Sequence, residues 1–176
     1  MNDKADSAAP AVQMTAQLTA TYFDTGEPRE LDISYRVDNR SAASIGVLNT
    51  AATVAGDPPG PDVTINAAGD LTVAYQLHAP RAAQMAVPQN IYAVRVAPGE
   101  HYTQQVAVKL LSAYPARDVA SGLVRPGRVR FCQAYAVHAN DGFTRLEIDQ
   151  RIWLTQPGLF EAQEMLCSEW VELRQK

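Results

Sequence analysis

Two segments of the chain carry nearly the same alternation of apolar and polar residues. They are residues 31–38 (Leu-Asp-Ile-Ser-Tyr-Arg-Val-Asp) and residues 71–78 (Leu-Thr-Val-Ala-Tyr-Gln-Leu-His). Successive side chains of an extended strand point to opposite faces, so each segment predicts a strand with one face in a core and the other in water. The residues that follow the two segments do not match. We therefore interpret the segments as two core strands of one antiparallel β-sandwich, and not as twin domains.

Similar short segments recur along the chain at intervals of about 8 to 15 residues, separated by turns rich in Gly, Pro, Asn and Asp. Helices of βαβ length do not alternate with them, which favours an all-β sandwich over an α/β fold. The 176 residues, 47% of them hydrophobic, fit one such domain over residues 15–176, after a polar leader at 1–14 that we expect to be disordered. The predicted strands cover residues 17–23, 31–38, 45–48, 63–65, 71–78, 90–97, 102–110, 128–137 and 143–154.

The strand predicted at 128–137 has apolar residues on both faces. Val129, Phe131 and Tyr135 alternate with Cys132 and other small residues. This pattern is typical of a central strand that is covered on both sides.

The last segment has two interpretations. Apolar residues recur at helical spacing over 159–173, among strong helix formers, whereas residues 167–173 also alternate as a strand would. We expect a short helical turn over 160–165 and a closing strand over 167–174. A single C-terminal helix is the alternative.

Charge and hydropathy restrict the location and the partners. The net charge of −4 argues mildly against nucleic acid, and the chain has no apolar run long enough for a transmembrane helix. The leader has no apolar stretch of signal-peptide length. Either a cytoplasmic protein begins this way, or Met1 replaces a removed signal or lipoprotein anchor. We favour the removed signal or anchor, because a polar tether of small residues ahead of a β-domain fits it better. This interpretation places the protein in the periplasm or cell envelope, where a lipid anchor is one option.

The chain has two cysteines, Cys132 and Cys167, without the CxxC spacing of zinc or redox sites. They are either two buried thiols in separate strands or one disulfide that ties the last strand to the central sheet. We expect the disulfide, which implies an oxidising compartment. Closing a loop of about 35 residues is worth roughly 3 to 4 kcal/mol in the loop-entropy model.

Motifs for catalysis or cofactor binding do not occur. The sequence has no nucleophile elbow, Walker loop, dinucleotide fingerprint or His-Glu-x-x-His. His78, His101 and His138 are far apart, and we expect surface histidines at strand ends instead of a shared metal site. The prediction is a protein with no catalytic, cofactor or metal site.

A few residues are candidates for a binding surface. Glu147 and Asp149 share a strand face with neighbouring arginines, which indicates a solvated charge ladder and not an acid/base pair. The loop from Asp57 to Asp62 contains Pro-Pro-Gly-Pro and cannot join a sheet. Trp153 falls on the charged face of its predicted strand and is either an outward contact residue or buried under another layer. Asp57, Asp62 and Trp153 are the candidates for a binding surface.

Two short motifs resemble bacterial immunoglobulin-like domains. Residues 33–41 (Ile-Ser-Tyr-Arg-Val-Asp-Asn-Arg-Ser) resemble a strand that ends in Val-x-Asn-x-Ser, and residues 96–100 (Val-Ala-Pro-Gly-Glu) resemble a turn between two later strands. The resemblance implies an antiparallel immunoglobulin-like β-sandwich. Such domains occur in cell-envelope proteins, adhesion modules and proteinase-inhibitor-like proteins. The motifs are structural, so no functional residue is transferred.

These observations favour a non-enzymatic cell-envelope module that binds or assembles with a protein partner. The first alternative is a proteinase inhibitor that acts through the loop at 57–62. The second is a small metal- or sugar-handling enzyme built from strand-end residues such as His101 and His138.

Overall fold

A computed structural model describes residues 11–24, 28–48, 61–76, 91–110, 127–137, 144–148, 151–154 and 162–173; at 91–92, 144–148 and 151–154 the description is of the backbone alone. These residues form twelve strands, and none of their elements is a helix. The strands are β1 (Val12–Tyr22), β2 (Pro28–Asn39), β3 (Ile45–Leu48), β4 (Asp62–Ile65), β5 (Leu71–Tyr75), β6 (Ile91–Val96), β7 (His101–Lys109), β8 (Arg128–Val137), β9 (Thr144–Ile148), β10 (Arg151–Leu154), β11 (Gln163–Cys167) and β12 (Val171–Glu172).

The strands form two sheets. Sheet A has three strands in the order β1–β2–β7, and sheet B has nine, in the order β4–β5–β8–β3–β6–β10–β9 with β11 and β12 also paired to β8. This confirms the all-β, sandwich-like class. The purely antiparallel arrangement is wrong in one place, because β5 and β8 are parallel. The long connection between them, which includes β6 and β7, gives the chain room to return in the same direction. The immunoglobulin type of the sandwich stays a prediction.

The two similar segments lie in different sheets and share one core. β2 contributes its odd-numbered side chains from Leu31 to Val37, and β5 contributes Leu71, Val73 and Tyr75. The Tyr35 and Tyr75 rings lie 4.6 and 6.3 Å from the ring of Phe131 on β8. The alternation therefore predicted the buried face of both strands correctly.

β8 is the central strand of sheet B. It pairs with β5 and β3 along one edge and with β11 and β12 along the other. Several residues of β8 pair with one strand from each set, so the two sets lie on opposite edges. Phe131 faces the core, and Cys132, Ala134 and Ala136 on the opposite face are buried as well. The prediction of a strand covered on both sides is confirmed.

The two motifs quoted above meet at Asn39. This side chain is 1% exposed; its Nδ2 donates to the carbonyl oxygens of Ala43 (2.8 Å) and Val96 (2.9 Å). Its Oδ1 accepts from the backbone N–H (3.0 Å) and the hydroxyl (2.7 Å) of Ser41. Its backbone carbonyl accepts from Gly99, whose φ of 80° is in the left-handed region that glycine adopts without strain. Asn39 thus fixes the end of β2 against the turn between β6 and β7.

The C-terminal segment is extended where a helical turn was predicted. β11 covers Gln163–Cys167 and β12 only Val171–Glu172, so the turn over 160–165, the strand starting at 167 and the alternative single helix are all wrong for the residues described. Helix propensities differ by only some tenths of a kcal/mol per residue, and tertiary contacts override them. Here the ladder from β11 to β8 and the disulfide at its end hold the segment extended.

The long strand predicted over 143–154 is in fact a hairpin. β9 and β10 pair antiparallel, with Arg151 opposite Ile148, so the chain reverses between these two residues. The apolar residues occupy even-numbered positions both before and after the reversal. The alternation in the sequence is therefore uninterrupted, and it predicted one continuous strand.

The first strand begins earlier than predicted. β1 starts at Val12, which pairs with Asn39, so residues 12–14 belong to the sheet and not to the leader. Residues 1–10 lie outside the described part of the chain.

Candidate binding surface

The face of sheet A that points away from the core is polar at nearly every position. We call it the outer face; its side chains are exposed or half-buried. The strand register arranges it in five rows, each with one residue from β1, β2 and β7: Gln13–Asp38–His101, Thr15–Arg36–Thr103, Gln17–Ser34–Gln105, Thr19–Asp32–Ala107 and Thr21–Glu30–Lys109.

A shallow open trough of about 620 Å³ lies over the middle of sheet A. It is lined by three residues from each strand: Thr15, Ala16 and Gln17; Ser34, Tyr35 and Arg36; and Thr103, Gln104 and Gln105. Apart from Arg36, its outer-face side chains are hydroxyls and amides, which both donate and accept hydrogen bonds. The chemistry available here is hydrogen bonding to a polar ligand surface.

The one cation in the trough is paired. Arg36 donates from Nε (2.9 Å) and Nη2 (2.7 Å) to Oδ1 of Asp38, two residues along β2. These hydrogen bonds lower the pKa of the Asp38 carboxyl, and the charges of Arg36, Arg40 and His101 lower it further. The carboxylate is therefore charged at neutral pH and is not suited to take up a proton as a general base.

Two tyrosines meet a glutamine in sheet A. The hydroxyls of Tyr35 and Tyr102 both donate to Oε1 of Gln104, at 2.6 and 2.8 Å. Burial raises the pKa of Tyr35, so its hydroxyl stays neutral and continues to donate. Because the Tyr35 ring also contacts Phe131, this cluster connects the middle of sheet A to the core.

β1 is a long edge strand without charge. It has eleven residues, none of them charged and none proline, and within the described ranges it pairs with β2 alone. Its inward side chains, Met14, Ala16, Leu18 and Ala20, are only partly buried against the core. Natural edge strands are usually short or carry charges or proline, which prevents pairing with another chain. β1 has none of these features.

The predicted disulfide is confirmed. Cys132 and Cys167 are bonded, and they are directly opposite each other on β8 and β11, with 4.1 Å between their Cα atoms. Cys132 is buried, whereas Cys167 is exposed. The bond ties the C-terminal segment to the central strand of sheet B.

The other predicted site residues are dispersed. Asp57 lies outside the described residues, and Asp62 is the half-buried first residue of β4 in sheet B. Trp153 lies in β10, opposite Leu146 and Tyr92 in the register, and its side chain is not among those described. The role of these three residues in binding stays a prediction.

Of the three histidines, only His101 is among the residues that the structure describes, and it is the exposed first residue of β7. His78 and His138 lie outside the described residues. Glu147 belongs to the backbone of β9, and Asp149 also falls outside. The residues described contain no group of three or more His, Cys, Asp or Glu side chains that could hold a metal ion.

Sequence reasoning missed a charged cluster at the start of β8. Arg128 donates from Nη2 and Nε to the two carboxylate oxygens of Asp70, at 2.7 and 3.1 Å. Its guanidinium carbon lies 5.1 Å from the centre of the Trp170 ring, and that of Arg130 lies 4.6 Å from it. The cluster holds the C-terminal segment against sheet B. The residues are up to 100 positions apart in the chain, so no local pattern signals them.

Comparison of the chain with protein-family models, with curated proteins and with solved structures finds no match in any of the three. Within the described ranges, no helix is long and apolar enough to span a membrane.

Proposed function

We propose that this chain is a non-enzymatic module of the cell envelope that binds a protein partner through the outer face of sheet A. The observation that carries the proposal is the composition of that face: five rows of exposed or half-buried side chains, polar at all positions but one, with hydroxyls, amides and the paired Arg36 around an open trough. An open trough suits a partner protein better than a small molecule, which normally binds in a concave pocket that buries most of its surface.

The electrostatics of the face support binding and not catalysis. The Arg36–Asp38 pair neutralises both of its charges, and the buried Tyr35 is held as a neutral donor by its raised pKa. An acid/base mechanism needs a group whose pKa lies near the working pH, placed to transfer a proton. Neither Asp38 nor Tyr35 meets that requirement.

The disulfide supports an oxidising compartment. Structural disulfides persist outside the reducing cytosol, and the Cys132–Cys167 bond joins a buried residue of one strand to an exposed residue of the adjacent strand. The location is tested by alkylating free thiols in intact cells that make the protein naturally, followed by mass spectrometry. Both cysteines are expected to be unmodified until a reductant is added; alkylation without reductant would contradict the envelope location.

Docking to the outer face is tested by site-specific photo-crosslinking in the same cells. A photoreactive residue in place of Thr103 on β7 is expected to form a discrete adduct with a second protein. The matched control is the same residue in place of Thr64, which is also an exposed strand threonine but lies on β4 of sheet B. Equal adducts from both positions, or none from Thr103, would refute docking to this face.

A further inference from the structure

We propose that β1 pairs antiparallel with β1 of a second copy of this chain, so that two copies of sheet A form one continuous sheet. The inference is independent of the partner protein proposed above. It rests on the edge of β1, which pairs with β2 alone within the described residues, and on the sequence of this strand, which complements itself.

Antiparallel pairing of two identical strands about a two-fold axis fixes the contacts. β1 runs over Val12–Tyr22, so its middle residue is Gln17, and pairing centred there engages all eleven residues. Gln17 then lies opposite its own copy in the partner, Thr15 opposite Thr19, and Gln13 opposite Thr21. Each of these pairs joins two neutral hydrogen-bonding side chains on the outer face.

The inward pairs in this register are apolar and combine a large with a smaller side chain. Met14 faces Ala20, Ala16 faces Leu18, and Val12 faces Tyr22. Directly opposed side chains are close enough to pack, so each pair fills space over the edge of the core. The four inward residues from Met14 to Ala20 are partly buried in one copy and would be covered further by the second.

The absence of charge on β1 is compatible with a second copy as the occupant. On the two-fold axis Gln17 meets its own copy, so a charge there would lie directly opposite a like charge, which is destabilising. β1 is the one strand of sheet A with no charged residue; β2 carries five Asp, Glu or Arg side chains on its outer face and at its start, and β7 ends at Lys109. The chain has a net charge of −4, yet the proposed interface is neutral.

The test measures the dimer dissociation constant of the full chain by sedimentation equilibrium. We expect a concentration-dependent dimer. Gln17→Lys places two positive charges at the two-fold axis and should raise the dissociation constant about fivefold or more. An equimolar mixture of Gln17→Lys and Gln17→Glu should restore the dimer, because opposite charges then meet.

The matched control is Gln105→Lys, the same substitution in the same row of the outer face but on β7. It should leave the dissociation constant unchanged. As a second measurement, Gln17→Cys should form an intermolecular disulfide on mild oxidation, since opposed residues of paired strands lie within disulfide range, and Gln105→Cys should not.

Three results would overturn the proposal: a chain that stays monomeric at its highest soluble concentration, a dimer that Gln17→Lys and Gln105→Lys weaken equally, or absence of the Gln17→Cys cross-link. A monomer that instead recruits a strand from a different protein at β1 also counts against it. Retention of the Thr103 photo-adduct in a monomeric chain would show that the outer face binds its partner while the self-pairing is wrong.

Discussion

Removal of the Cys132–Cys167 disulfide should cost a large part of the roughly 5 to 15 kcal/mol by which a folded domain is typically stable. The bond joins residues 35 positions apart, and the loop-entropy relation gives about 4 kcal/mol at 25 °C for a loop of that length. The perturbation is the double variant Cys132→Ala/Cys167→Ala, which leaves no free thiol to form other bonds. Deleting the buried Sγ of Cys132, which is 2% exposed, should add roughly 1 kcal/mol.

The assay is urea unfolding at 25 °C without reductant, followed by tryptophan fluorescence and far-UV circular dichroism. Coincident curves from the two probes establish two-state behaviour and permit linear extrapolation of the unfolding free energy. The double variant should lose about 4 to 5 kcal/mol, which corresponds to a thermal midpoint lower by roughly 8 to 20 °C. Its denaturant slope should rise, because the unfolded chain without the cross-link exposes more surface.

The control is Met165→Ala, two residues before Cys167 on the same strand and opposite Ala134 of β8. This side chain is 39% exposed, so its truncation should cost under about 1 kcal/mol. A loss below about 1 kcal/mol in the double cysteine variant would refute the entropic reasoning. It would mean that residual structure already restricts the unfolded chain when the covalent bond is absent.

Three further variants test buried polar groups, each by urea unfolding. Asn39→Ala removes a 1%-exposed amide with four side-chain hydrogen bonds and should cost roughly 3 kcal/mol. Arg128 lowers the pKa of Asp70 below its ordinary value of 3.8. The stability that this ion pair contributes is present above pH 3.8 and is lost as the pH falls further, so Asp70→Asn should flatten that part of the pH dependence. Gln133 is fully buried and its Nε2 donates to Leu48 and Ala134; Gln133→Glu should cost about 3 to 5 kcal/mol at pH 7, and less as the pH approaches 4.

Each of these variants has an outcome that contradicts its reasoning. A loss below about 1 kcal/mol for Asn39→Ala would mean that water replaces the amide at the end of β2. An unchanged acid limb in Asp70→Asn would show that the ion pair with Arg128 does not persist in solution. A pH-independent loss in Gln133→Glu would show that the introduced carboxyl reaches solvent instead of staying buried.

The elements that sequence reasoning predicted well are those whose pattern and environment agree. β2 and β5 place apolar residues at every odd-numbered position from 31 to 37 and from 71 to 75, and each has that face in the core, so period-two patterning sufficed. The disulfide was predicted from the number and spacing of the cysteines; the structure adds that Cys132 and Cys167 are opposite each other in the register.

The elements that were predicted wrongly depend on contacts between distant residues. β11 has helix-forming residues but is extended because it pairs with β8. The β9–β10 hairpin was hidden because its reversal preserves the parity of the apolar residues. The outer face was missed for a related reason: its rows combine three strands that are far apart in the chain, and only the register shows that Gln17, Ser34 and Gln105 are neighbours.

The two sheets differ in solvent exposure and cross-linking, and this bears on why β1 has its sequence. β8 is hydrogen-bonded along both edges, buried on both faces and cross-linked, whereas the outer face of sheet A is open to solvent. Substitutions at exposed positions such as Gln17 usually change stability by under about 0.5 kcal/mol, so folding does not require β1 to be neutral. Avoidance of aggregation would favour a charge or a proline on so long an edge. A neutral edge strand is therefore a liability for a chain that remains alone, and it is accounted for if the edge is covered by a second copy.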